Sequence, residues 1–117
     1  MAEYQQLKID EVGDVTVVCF RDYFIKGMAE IERLGDELYR LVTEENRTKL
    51  VLNLASVQFL SSAALGKLLS LNAKLRARNG VMKFCNVQPN VLEVFVTCKL
   101  DTLFDIEQDT ADALGSI

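Results

Sequence analysis

The sequence has 117 residues, of which 50% are hydrophobic and 26% are charged, a balance typical of one globular domain that excludes a disordered chain. Its formal net charge is −4, so the overall composition does not provide the basic surface that nucleic-acid-binding proteins need. The first residues are polar, and no apolar run approaches the roughly 20 residues that span a bilayer. We therefore expect a cytoplasmic protein without membrane insertion and without a nucleic-acid partner.

The chain contains no histidine, which excludes Ser-His and Cys-His nucleophile pairs and histidine metal ligands. Its three cysteines form no CxxC motif, and an odd number argues against a disulfide framework. Cys19 and Cys85 lie inside apolar segments, so we interpret them as buried thiols. We expect neither an enzyme nor a bound metal or cofactor.

The first half of the chain predicts a hairpin followed by a helix. Residues 4–10 can form an edge strand, residues 12–14 a turn, and the β-branched residues 15–20 a second strand. Residues 28–45 predict a helix that stops near Asn46, because their apolar residues recur at spacings of three and four. This apolar stripe consists of Ile31, Leu34, Leu38, Leu41 and Val42.

The second half predicts strands that alternate with helices. The predicted elements are a buried strand 49–54, a helix 62–78 ended by Asn79 and a left-handed Gly80, a strand 81–87, a helix starting at Pro89, a short strand 103–106 and an acidic tail 107–117 with room for a terminal helix. The order ββαβαβαβ(α) predicts a single α/β domain over residues 1–117, with its core at about 4–106. Its mixed, mostly parallel sheet of four to five strands should carry helices packed on it.

Two adjacent hydroxyls, Ser61 and Ser62, lie where the predicted strand 49–54 and a short link give way to a helix. A serine at this position can cap the helix by accepting a backbone N–H bond. The same place also suits a phosphoryl group, which would add about −1.5 to −2 charges and could block a docking partner. The small residues Ala63, Ala64 and Gly66 that follow permit close approach, either of a partner or of the domain's own sheet.

The run 50-LVLNLASVQFLSSAALGKLL-69 resembles the signature of STAS domains, the family of bacterial anti-sigma factor antagonists. That signature is an apolar strand, Asp-Leu or Asn-Leu, a short link, and Phe-x-Asp-Ser-Ser-Gly-Leu-Gly at the start of a helix. Residues 80–106 resemble the second half of the family, so the match covers most of residues 4–106.

The resemblance implies a regulatory protein that is controlled by phosphorylation of Ser62. Its partners would be an anti-sigma factor that is also a serine kinase, and a phosphatase, with the domain itself a monomer or weak dimer. The implied partner-binding surface consists of Asp22, Phe24, Ser61, Ser62, Ala63, Ala64, Gly66 and Lys67.

The sequence departs from the family pattern at several of these positions. Ser61 replaces the Asp beside the phosphoserine, and Ala63 and Ala64 replace Ser-Gly. In the family's Gly-Glu-Leu-Asp stretch, Asp22 stands at the Glu and Phe24 at the Asp. Ser61 is therefore an alternative phosphoacceptor. A second hypothesis is a STAS scaffold without phosphorylation, acting as a subunit of a signalling or lipid-transport assembly.

Two catalytic alternatives have little support in the sequence. A serine hydrolase with Ser62 as nucleophile would need a base, and the chain has no histidine and no G-x-S-x-G motif. Nucleotide binding would need a phosphate-binding loop, and neither G-x-x-x-x-G-K-[ST] nor G-x-G-x-x-G occurs.

Overall fold

A computed structural model describes residues 4–21, 24–25 and 27–117 of the chain. The elements are β1 (Leu7–Val12), β2 (Val15–Phe20), β3 (Phe24–Ile25), α1 (Met28–Thr43), β4 (Lys49–Asn53), β5 (Phe59–Leu60), α2 (Ser62–Arg76), β6 (Val81–Cys85), α3 (Pro89–Thr97), a 3₁₀ turn (Leu100–Thr102), β7 (Asp105–Glu107) and α4 (Thr110–Ser116). Apart from β3 and β5, which have two residues each, this is the predicted order, and it includes the terminal helix.

Five strands form one sheet in the order β1-β2-β4-β6-β7. β1 and β2 pair antiparallel, whereas β2, β4, β6 and β7 pair parallel to one another. Parallel neighbours cannot be joined by a tight turn, so α1, α2 and α3 connect the parallel strands. The prediction of a mixed, mostly parallel sheet in a single α/β domain is confirmed.

The main core lies between one face of the sheet and helices α1, α2 and α3. α1 packs against α2, and the apolar stripe predicted for α1 is buried as expected. Three phenylalanines pack against one another in this core, with ring centroids 4.7 to 5.7 Å apart. They are Phe84, Phe95 and Phe104.

The first strand starts and ends later than predicted. Gly13 adopts a positive φ of 62° in a two-residue turn, so β1 continues to Val12, which pairs with Val15. The Gln6 carbonyl accepts from the Arg21 N–H at 3.0 Å, but the Gln6 N–H donates to the buried Glu37 carboxylate at 3.0 Å and 3.2 Å, so the strand itself begins at Leu7. The predicted limits 4–10 were wrong because the sequence pattern does not reveal this contact.

At the end of α2, the residue in the left-handed conformation is not the predicted one. Asn79 has a φ of 58°, so the prediction that Gly80 would take this conformation was wrong. Gly80 is needed for another reason: a Cβ there would lie 2.7 Å from the carbonyl oxygen of Thr48. The chain therefore uses Asn for the turn and Gly for the close approach to the start of β4.

The last strand begins two residues later than the predicted 103–106. Phe104 turns into the core directly after the 3₁₀ turn, and its N–H donates to the Leu100 carbonyl at 2.7 Å. Pairing with β6 then starts at Asp105, opposite Lys83. Because the Phe104 ring is buried in the core, the pairing of β7 begins only after this residue.

A second, smaller core lies on the opposite face of the sheet, under α4. Ala113 of α4 is fully buried against Val51 and Cys85, and Leu114 and Ile117 pack at its margin. Burial raises the pKa of the Cys85 thiol, so the reactive thiolate is disfavoured there. Cys85 is buried, as predicted, whereas Cys19 is only partly buried, so the prediction was wrong for Cys19.

We predict that Ala113→Glu lowers the free energy of unfolding by about 2–3 kcal/mol, because it forces an unpaired charge into this small core. Ala111→Glu is the matched control, since Ala111 is exposed on the same helix and should change stability by no more than about 0.5 kcal/mol. Urea denaturation measures both. Peptide-resolved alkylation of Cys85 should accelerate only in Ala113→Glu, and equal stability of the two variants would contradict the role of α4 as a cover.

Candidate functional site

A short parallel pair of strands brings the starts of α1 and α2 together. Phe24 of β3 pairs with Phe59 of β5, and Ile25 pairs with Leu60. The Ser61 N–H then donates to the Ile25 carbonyl at 3.1 Å. Because β3 leads towards α1 and β5 leads into α2, both helix N-termini follow the same end of this pair.

Hydrogen bonds to several other segments of the chain fix the link between β4 and β5. The Ser56 hydroxyl donates to the Phe20 carbonyl at 2.6 Å, and the Gln88 amide donates to the Ala55 carbonyl at 2.5 Å. The side-chain oxygen of Asn53 accepts from the Ala55 N–H at 3.0 Å and from the Asn86 amide at 3.2 Å. The link therefore presents the start of α2 in a fixed position.

The structure assigns different roles to the two serines. Ser61 is the N-cap of α2, with an extended backbone and a hydroxyl that accepts from the Ala64 N–H at 3.2 Å. Ser62 is the first helical residue and is exposed. The capping prediction is confirmed for Ser61, and Ser62 presents an accessible hydroxyl beside the cap.

The N-terminus of α2 has no acidic residue in its first turn. In α1, by contrast, the first turn holds Glu30, whose carboxylate folds back over Gly27. Since helix N-termini carry a partial positive charge, α1 receives its own compensating anion. α2 does not, and its start suits an added anion.

Exposed and buried residues alternate along the first turns of α2. Ala63 and Gly66 are exposed, and a Cβ on Gly66 would meet nothing within 4 Å. Ala64 is completely buried, so its inclusion in the partner-binding surface was wrong. A helix that packs on a sheet must bury one side, and Ala64 lies on that side.

Lys67 is only partly exposed because it takes part in the packing of α2 on α1. Its ammonium lies 3.2 Å from the Glu32 carboxylate, an interaction that raises the pKa of Lys67. Its aliphatic chain crosses Gly35, where a Cβ would come within 2.7 Å of Lys67 Cδ. Asp22 lies outside the described residues. Phe24 contributes to the site through its backbone pairing with Phe59.

Sequence reasoning missed the β3–β5 pair and the amide contact between Asn53 and Asn86. Two-residue strands have no detectable periodicity, so nothing in the pattern indicates them. Asn86 has a positive φ of 54°, a conformation that asparagine tolerates better than most residues. An asparagine directly after a strand is the only signal that could have indicated this turn.

Over residues 4–21, 24–25 and 27–117, no group of three or more His, Cys, Asp and Glu side chains is arranged to hold a metal ion. Within the same ranges, no helix has the length and apolar character needed to cross a membrane.

Comparison with known proteins identifies the family. The model of the STAS domain matches residues 9–113, and the chain belongs to the STAS domain family. A relative from Bordetella bronchiseptica named as an anti-sigma factor antagonist, BtrV, is 28% identical over 101 residues, which covers 86% of this chain and 84% of the relative.

Solved structures agree with this assignment of the fold. An anti-sigma factor antagonist from Mycobacterium paratuberculosis superposes with a TM-score of 0.83 at 23% identity, covering 95% of this chain and 92% of the other. The Bacillus cell fate determinant SpoIIAA in its phosphorylated form gives a TM-score of 0.72 at 16% identity, covering 94% and 97%. The expected family resemblance and the STAS fold are confirmed.

We predict that Ser61→Ala lowers the free energy of unfolding by about 1 kcal/mol, because the Ala64 N–H loses its acceptor. Ser61→Asp should retain wild-type stability or exceed it, since a carboxylate both caps the helix and complements its dipole. Ser62→Ala is the matched control and should stay within about 0.5 kcal/mol of the wild type. Chemical denaturation measures all three, and an equal loss in Ser61→Ala and Ser62→Ala would contradict the assignment of the cap.

Proposed function

We propose that this domain is an anti-sigma factor antagonist whose surface at the start of α2 binds an anti-sigma factor that is also a serine kinase. The single observation that carries the proposal is the exposed Ser62 beside the capped start of α2, within a domain of the STAS family. In the unphosphorylated state the domain holds the anti-sigma factor and thereby frees a sigma factor. A phosphatase resets the switch.

Phosphorylation of Ser62 would act on docking rather than on folding. A phosphoryl group on this residue would lie at the positive end of α2, where no acidic side chain of the first turn opposes it. It would add about −1.5 to −2 charges to a surface spot flanked by Ala63 and Gly66. A partner that packs closely on these small residues would lose contact there.

Ser62 is a better phosphoacceptor than Ser61 for a structural reason. The Ser61 hydroxyl already accepts from the Ala64 N–H, so it is less available as a phosphoacceptor than a free hydroxyl. Ser62 is exposed, and its modification leaves that hydrogen bond in place. Ser61 is therefore the alternative acceptor only.

A STAS scaffold without phosphorylation is the second candidate function. It is favoured by Ser61 and Phe24, which stand where the family carries acidic residues near the kinase contact. In that case the same face would bind one partner permanently. Phosphorylation of the purified protein separates the two functions.

We predict a single phosphoryl adduct after incubation with the cognate anti-sigma kinase, located on Ser62 by mass spectrometry. Ser62→Ala should lose the adduct and still bind the kinase, whereas Ser62→Asp should bind about tenfold more weakly, because its charge mimics part of the phosphoryl group. Titration calorimetry measures binding.

Ser70→Asp is the control for charge alone, since Ser70 is exposed two turns further along the same helix. It should bind like the wild type. A phosphate on Ser61, or equal binding by the Ala and Asp variants at Ser62, would refute the switch at Ser62. A stable complex without any phosphate would favour the scaffold.

The surface itself is tested by adding a bulky side chain at Gly66, where the structure leaves open space. Gly66→Arg should weaken binding of the anti-sigma kinase by about tenfold, because a close contact with the helix becomes impossible. Gly115→Arg is the matched control, since Gly115 is also helical and equally open but lies on α4. Both variants should keep wild-type thermal stability, and a loss of binding in both would contradict the location of the surface.

A further inference from the structure

A groove of about 440 Å³ lies between α3 and the segment that leads into α2. Its floor contains Leu60 and Val91, which are 5% and 1% exposed, and Val94 lines it from α3. Phe59 lies at the groove and is 44% exposed, so its aromatic ring adds accessible apolar surface there. The groove can take one or two apolar side chains of another molecule.

The groove is continuous with the surface proposed to bind the anti-sigma factor. Phe59 and Leu60 form β5, and the next two residues are Ser61 and Ser62. The hydrogen bond from the Ser61 N–H to Ile25 ties the start of α2 to the β3–β5 pair. A protein that covers Ser62 therefore has β5 and the groove directly beside it.

The charges of the groove indicate what its occupant carries. Among the described residues that line the groove, Glu93 is the one charged side chain, and the chain as a whole has a net charge of −4. Gln58, Asn90 and Thr97 add neutral hydrogen-bonding groups. An apolar side chain followed by a lysine or arginine matches an apolar floor with one acidic residue at its side.

We infer that this groove is a second docking point for the anti-sigma factor, filled by an apolar side chain of that protein with a cation opposite Glu93. The inference rests on the proposed function, because it names how the same partner is held. The groove and the area around Ser62 then have different roles in binding. The groove selects the partner by shape and charge, and the Ser62 area decides whether the partner stays bound.

The test is the affinity of the purified anti-sigma kinase for two α3 variants of the full chain. Glu93→Lys should weaken binding by about tenfold, because it opposes the cation of the partner. Val96→Lys is the matched control: Val96 is 52% exposed on the same helix but does not line the groove, so binding should stay within about twofold. Circular dichroism melting checks that both variants fold like the wild type.

The outcomes separate this inference from the proposed function. If Glu93→Lys binds like the wild type while Ser62→Asp still weakens binding, the groove does not contact the partner and the switch stands. If no anti-sigma kinase binds the wild type, the proposed function itself fails. If Glu93→Lys changes the oligomeric state in light scattering without changing kinase affinity, the occupant is a second copy of this chain and the inference is wrong.

Cys98 offers an independent readout, because it lines the groove and is exposed, whereas Cys19 is only partly exposed and Cys85 is buried. Attachment of a polyethylene glycol maleimide to Cys98 should block kinase binding, while Cys98→Ser treated with the same reagent should bind normally. Bound kinase should also slow alkylation of Cys98 by N-ethylmaleimide at least tenfold. Unchanged alkylation in the complex would overturn the inference.

Discussion

The position of α2 depends on the burial of three apolar side chains in the segment that precedes it. Leu54 and Val57 are fully buried, and Leu60 is 5% exposed, so the link between β4 and α2 is part of the core rather than a free loop. A link of this kind cannot change its path without exposing these residues to water. The hydrogen bonds of Ser56 and Asn53 further restrain the backbone of this link, which burial of the apolar residues already fixes.

This constraint explains why adjacent serines behave differently. Once the link is fixed, the chain enters α2 at one residue only, and the geometry of a helix N-terminus makes that residue the acceptor for the third following N–H. Ser61 occupies this position, and Ser62 follows one residue later with its side chain exposed. The same chemical group thus stabilises the fold at one position and is available for modification at the next.

Much of the fold follows from the sequence because its signals are long and strong. α1 has 16 residues with clear apolar spacing, α2 has 15 residues rich in leucine, and the continuous apolar run of β4 marks a strand covered on both faces. The features that were missed depend on contacts between distant segments. β3 pairs with β5 over only two residues, and Gln6 meets Glu37 across 31 positions of the chain.

The candidate site was predictable in part for the same reason. The serine pair was located correctly because a strand, a link and a helix start follow one another along the chain. The burial of Ala64 was not apparent, because small residues occur on both sides of a helix that packs closely on a sheet. The groove beside α3 could not be predicted, since Phe59 and Glu93 are brought together only by tertiary structure.

The neutral cap has a further consequence for a switch at this place. A carboxylate at the N-cap would already compensate the positive end of α2, so that a phosphoryl group would add charge to a site that is already negative. With Ser61 as the cap, the first turn of α2 contributes no acidic side chain of its own before modification. A phosphoryl group on Ser62 would then be the first anion that α2 itself carries at this end. Because association between proteins responds to the charges that face each other, such an added anion would alter docking on this surface. The departure of Ser61 from the family pattern is therefore compatible with a switch that works through charge.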